Sequence, residues 1–189
     1  MKKVFLALTG IAFLTGIYSF APGTEKKAAA SLTVNVEKSR IDWVAAKKSD
    51  FHTGNFPIKS GMVMVDGGKL TGGKFVIDLA NLKVTDGAAE KLTGHLKSAD
   101  FFDVAKFGEA AFEITSVNYT GQTSADINGN LTVKGITVPV KMVAQIRNAD
   151  EKGFFAESFL TLDKTLVGIN YGTGNVYNDV QLAVHIFAK

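Results

Sequence analysis

Three histidines, His52, His95 and His185, are the residues of this chain best suited to hold a metal or relay a proton. No two stand at the i,i+4 spacing of a helical ligand pair or the HxH spacing of a strand, so shared ligation would have to come from the fold. They read more simply as polar groups at turns or strand faces. Nucleophilic chemistry has less support. No serine from Ser31 to Ser158 lies in a G-x-S-x-G elbow, and the chain has no cysteine. That absence excludes disulfides, thiolate metal sites and a thiol nucleophile. Asp163 and Lys164 form a charged pair at a strand end, a place where such pairs satisfy turn amides or face water. Gly172-Thr173-Gly174 resembles a fragment of a phosphate loop. It lacks the third glycine and the following helix, so Gly168–Gly174 reads as a hairpin loop.

The elements that must position these residues are mostly strands. Apolar residues alternate with a period of two along Leu32–Val36, Ile41–Ala45, Leu70–Leu79, Ile127–Val133, Val138–Ile146, Phe154–Leu162 and Val176–Phe187. Asp66-Gly67-Gly68 supplies left-handed turn residues between Met62–Val65 and Leu70–Leu79. From Phe112 to Tyr119 the alternation changes phase, which predicts a bulge near Ser116. Pro139 fits an edge or a strand start. His185 is out of phase with Leu182, Val184 and Ile186 on either side of it, so it faces away from them. The spacing predicts one short helix, Asp86–Lys97, capped by Thr85 or Asp86. About eight strands at this spacing make an antiparallel barrel or sandwich.

Fourteen phenylalanines and one tryptophan leave much bulky apolar volume to place. Phe75, Ile77, Phe112, Ile114 and Leu131 all fall on faces that should point inward. An eight-stranded barrel can either fill its interior with such side chains or hold one ligand there. The alternation is compatible with both.

The first 21 residues read as a secretory signal, with Lys2–Lys3 before the apolar run Val4–Phe20. Cleavage falls after Ala21, or as late as Ala30. Residues 22–31 then form a polar, disordered linker, and 32–189 form one barrel domain. Removing 1–21 takes away two lysines and lowers the net charge from +3 to +1. Removing 1–30 leaves 17 basic and 17 acidic residues. The basicity belongs mainly to the leader, so no nucleic-acid footprint is expected. A periplasmic or secreted location follows.

Several segments together carry a resemblance. Ser39-Arg40-Ile41-Asp42-Trp43, His52-Thr53-Gly54, Ile77-Asp78-Leu79, His95–Asp103 (HLKSADFFD), Asn128–Gly135 (NGNLTVKG) and Asp163-Lys164-Thr165 are similar to motifs of the YceI-like family of periplasmic polyisoprenoid- and lipid-binding proteins. The resemblance implies a lipocalin-like, all-β, antiparallel eight-stranded extended barrel with a short helix near its mouth. It places His52-Thr53-Gly54 at the first turn. It also implies an isoprenoid, quinone-type or other long amphiphile held in the lumen for storage or transport. On that reading the chain is not an enzyme and needs no cofactor or metal. Its partner is the apolar ligand, membrane contact is transient during exchange, and a homodimer is allowed. Lumen candidates are Trp43, Phe75, Ile77, Phe102, Phe112, Ile114 and Leu131, and head-group candidates His52, His95 and Lys164. Two positions depart from the family pattern: Gly108 replaces a proline, and Lys164 replaces an arginine that can offer a planar fork of donors. The competing reading is a stress-response or interaction module whose barrel is filled by its own side chains.

Overall fold

Alternating apolar residues close into a barrel because each strand can then bury one face and leave no long edge unpaired. The computed structural model describes residues 29–172 and 174–189. Its strands are β1 (Ala30–Thr33), β2 (Arg40–Lys47), β3 (Asp50–Asp66), β4 (Lys69–Asp78), β5 (Lys83–Val84), β6 (Glu109–Tyr119), β7 (Ser124–Val133), β8 (Ile136–Asp150), β9 (Gly153–Asp163) and β10 (Val176–Ala188). One helix, α1 (Ala89–Lys97), lies between β5 and β6, and a 3-10 helix, Lys164–Val167, follows β9. The signal and most of the linker expected at the N-terminus lie outside the described residues.

Neighbours run β3-β2-β10-β9-β8-β7-β6-β4, and β4 pairs back with β3, closing eight antiparallel strands. β3 makes this possible through its 17 residues. Its first half pairs with β2 and its second with β4. β1 lies against the second half of β3 and bridges to β10 through Val34 and Ala188. At this seam the Ser39 hydroxyl donates to the Phe187 carbonyl and accepts from the Phe187 amide.

The register puts the two ends of the barrel to different uses. At the base, β3 and β4 join through Gly67 and Gly68, both at positive φ, where glycine carries no Cβ penalty. At the mouth lie the β2–β3 turn, the long 79–108 connection with α1, the Lys134–Gly135 turn and the loop after the 3-10 helix. The phase change near Ser116 is a register shift between Ile114 and Ser116.

Three local expectations are corrected. The first turn falls at Lys48–Ser49, while His52-Thr53-Gly54 lies within β3. β1 stops at Thr33, and Val36 is exposed in a turn. The helix starts at Ala89 rather than Asp86, because the Asp86 carboxylate is occupied by the Thr53 and Ala88 amides and the His52 ring.

β8 and β9 pair only from Ala144 and Ser158 toward the base. Toward the mouth no ladder joins Ile136–Val143 to β9, and the 3-10 helix packs there beside β8. Ser158, buried, donates its hydroxyl to the Val143 carbonyl at 2.8 Å, where the ladder stops. Pro139 sits on this split side, paired only with Asn130 of β7, so its missing N–H leaves no ladder bond unmade.

Candidate functional site

Between two packed layers the barrel keeps an unfilled cavity of about 190 Å³. Below it, Leu32, Val34, Val65, Ala125, Ile146 and Ala188 are buried and close the base. Above it, Trp43, Leu82, Val84 and Leu96 form a second buried cluster beneath α1. The volume exceeds the ~150 Å³ of engineered apolar cavities that stay dry and take up benzene. The interior is therefore not filled by its own phenylalanines.

The wall is almost wholly apolar. Of its lining residues only Glu157, Ser158 and Lys164 are polar. Glu157 turns outward to Arg147 at 3.1 Å and His185 at 3.4 Å, and Ser158 is spent on the Val143 carbonyl. Lys164 differs. It is 5% exposed, and its ammonium donates to Asn178 Oδ1 at 3.1 Å. Its position follows from the split between β8 and β9. The chain leaves the β9 ladder at Asp163, whose carboxylate caps the 3-10 helix by accepting from the amide and hydroxyl of Thr165. Gly168 ends that helix at φ 76°, and a Cβ there would lie 2.7 Å from Ile136 Cδ1. The left-handed backbone at this residue favours glycine, and any side chain there would also have to move the end of Ile136 aside.

Seven of the ten sequence candidates meet at this cavity: Phe75, Ile77, Phe102, Phe112, Ile114, Leu131 and Lys164. Three do not. Trp43 points inward but lies in the upper cluster, 6.1 Å from the Phe56 ring, with its Nε1–H buried and unpartnered. Gly54 lets the indole lie flat on β3, since a Cβ there would come within 2.3 Å of the ring. His52 Nδ1 pairs with Asp86 at 3.1 Å, outside the cavity. His95 stands edge-on to Tyr171 and Phe101, with centroids 4.4 and 5.2 Å away. His185 faces outward beside Asp42 and Glu157, so the three histidines have separate partners. The sequence candidates omitted Phe56, Met142, Ala144, Phe154, Ala156 and Leu182, which also line the wall. The alternation of β9 and β10 carried the signal for several of these, but small residues such as Ala156 attract no attention among phenylalanines.

The YceI-like domain profile matches residues 29–188, nearly the whole described chain. The chain belongs to the YceI-like family. A UPF0312 protein of Pseudomonas putida strain GB-1 is 31% identical to this YceI-like protein over 172 residues, covering 86% of each chain. A UPF0312 protein of Shewanella baltica strain OS155 is 33% identical over 148 residues, covering 76% of this chain and 73% of that one. Among solved structures, Burkholderia cenocepacia BcnA superposes with a TM-score of 0.72 at 21% identity, covering 82% of this chain and 99% of that one. A polyisoprenoid binding domain from Saccharophagus degradans gives 0.67 at 13% identity, covering 86% and 99%. At these identities the structural likeness speaks for the shared YceI-like barrel.

Proposed function

We propose that this protein holds one long apolar chain, an isoprenoid or other lipid amphiphile, non-covalently in its barrel, as an exported store or carrier. The observation that carries the reading is the unfilled, apolar-walled cavity between the base layer and the helix-covered mouth. Burying such a chain would be worth about 0.8 kcal/mol per methylene, with no need for catalytic groups. The polyisoprenoid binding domain of S. degradans, similar in fold, is in keeping with a lipid ligand. The lysine-led apolar run at the N-terminus supports export to the periplasm or medium.

Phe56 and Phe102 pack edge to face, 5.6 Å apart, and both touch the cavity and the upper cluster. A tail longer than the cavity would displace these rings and the connection behind them, so loading proceeds through the mouth.

The test is organic extraction and mass spectrometry of protein purified under native conditions, followed by thermal unfolding with added isoprenoid quinones, polyprenyl phosphates and fatty acids. A co-purifying lipid, and a rise in melting temperature with one class, are the expected results. A ligand at 100 times its Kd would add about 2.7 kcal/mol of stability. Empty protein with an unchanged melting temperature for every class would overturn the reading.

A further inference from the structure

The cavity is bounded by firm walls on every side but one. Its lower end hangs from paired strands, where Val63 and Ala125 are fully buried. The split beside β8 is plugged by Val167, which is 2% exposed. The roof is built differently. From Trp43 a run of aromatic rings crosses the mouth: Phe56 stands 6.1 Å from the indole, Phe102 5.6 Å from Phe56, and Phe101 6.4 Å from Phe102. Phe56 is fixed in β3 by its pairing with Ile41. Phe102 is carried by the loop after α1, and among the described residues no strand pairs with 98–108. Its amide donates to the Leu96 carbonyl at 3.1 Å, and the neighbouring Phe101 carbonyl accepts from Lys134 Nζ at 2.6 Å. Of the two rings that close the roof, one belongs to the wall and the other to a loop.

The volume beneath that roof sets a length. An apolar cavity of ~150 Å³ takes one benzene, six carbons. At the same density, about 190 Å³ has room for about eight. A longer tail cannot extend downward or sideways, so it must part the rings. We propose that Phe56 and Phe102 sort ligands by tail length: an apolar group of up to about eight carbons fits the closed cavity, and a longer one enters only by swinging Phe102 away from the fixed Phe56. This rests on the lumen-binding reading and deepens it. A long isoprenoid seats its far end in the cavity and holds the rings apart along the rest of its length. Each methylene at the crossing point separates packed aromatic faces and edges before it gains burial of its own.

The experiment titrates two homologous series into delipidated full-length protein, the fatty acids from hexanoate to palmitate and the matching primary alcohols, followed by calorimetry. Within a series the head is constant, so only the tail varies. Affinity should rise about fourfold per methylene while the tail fits. It should flatten to less than about twofold per methylene between octanoate and dodecanoate, and at the same length in the alcohols. The wild-type series alone is decisive, because it does not depend on a variant folding. Phe102→Ala should move the break to longer tails and leave hexanoate affinity within about threefold. A constant gain per methylene from hexanoate through palmitate would overturn the sorting role and leave the lumen reading standing. A break at an unchanged length in Phe102→Ala would also overturn it, by assigning the limit to another part of the wall. Binding of no acid and no alcohol would overturn the lumen reading, and this inference with it.

Discussion

At the scale of single residues, the cavity depends on small side chains as much as on large ones. Ala156 is 8% exposed and faces the lumen between Phe154 and Ser158. Replacing it by leucine puts branched carbon where the tail would lie. We expect Ala156→Leu to fold, with stability unchanged or raised by about 1 kcal/mol, and to lose most lipid binding. Denaturant unfolding alongside the palmitate titration checks both halves. Phe75, Ile77 and Leu131 could be read as inward because alternation fixes facing. How far up the barrel a residue sits is not written in alternation, so Trp43 shares its face with Ile41 yet belongs to a different layer. Lys164 was harder still. Its burial comes from strands far apart in sequence parting at one point, and nothing in the residues beside it marks that.

Among elements, the parting of β8 and β9 shapes the site most. Pro139 hinted at an edge, and the structure shows an edge inside a closed barrel. Ser158 stitches the place where pairing stops. Ser158→Ala leaves the Val143 carbonyl, on a half-exposed residue, without that donor, and we expect a loss of about 0.5–1.5 kcal/mol. Amide exchange should rise first along Ile136–Val143 and the 3-10 helix. Uniform loosening of all strands would show instead that the hydroxyl does not govern the split. The strands were largely legible in the sequence, because apolar alternation and glycine turns are local signals. The helix start was less so. Asp86 looks like a cap by spacing and does accept from the Ala88 amide, but it is shared with Thr53 and His52 across the mouth, and the helix begins only at Ala89.

For the whole molecule, acid is the revealing variable. The Asp86 carboxyl is held below its usual 3.8 mainly by the Ala88 amide, then by that of Thr53. Asp150 is held down chiefly by the Lys152 amide, and Asp163 by the Thr165 hydroxyl and then its amide. Each gives up its charge at a lower pH when folded than when unfolded. Below the usual value the unfolded chain therefore binds more protons. The stabilisation is complete above about pH 5 and is lost as pH falls through the depressed values. We expect a flat melting temperature from neutral pH to about 5, then a decline below about 4. Asp86→Asn should lower stability at neutral pH and flatten part of that decline. An unchanged acid slope in the variant would show that the Asp86 carboxylate contributes nothing to it.

The base is sealed by residues anchored in hydrogen-bonded strands, whereas the opposite closure is made of a nine-residue helix and connecting loops. Such a vessel has one door. On the proposed carrier reading, a lipid would leave by the route it came, so handing it over would require the recipient to meet that same rim.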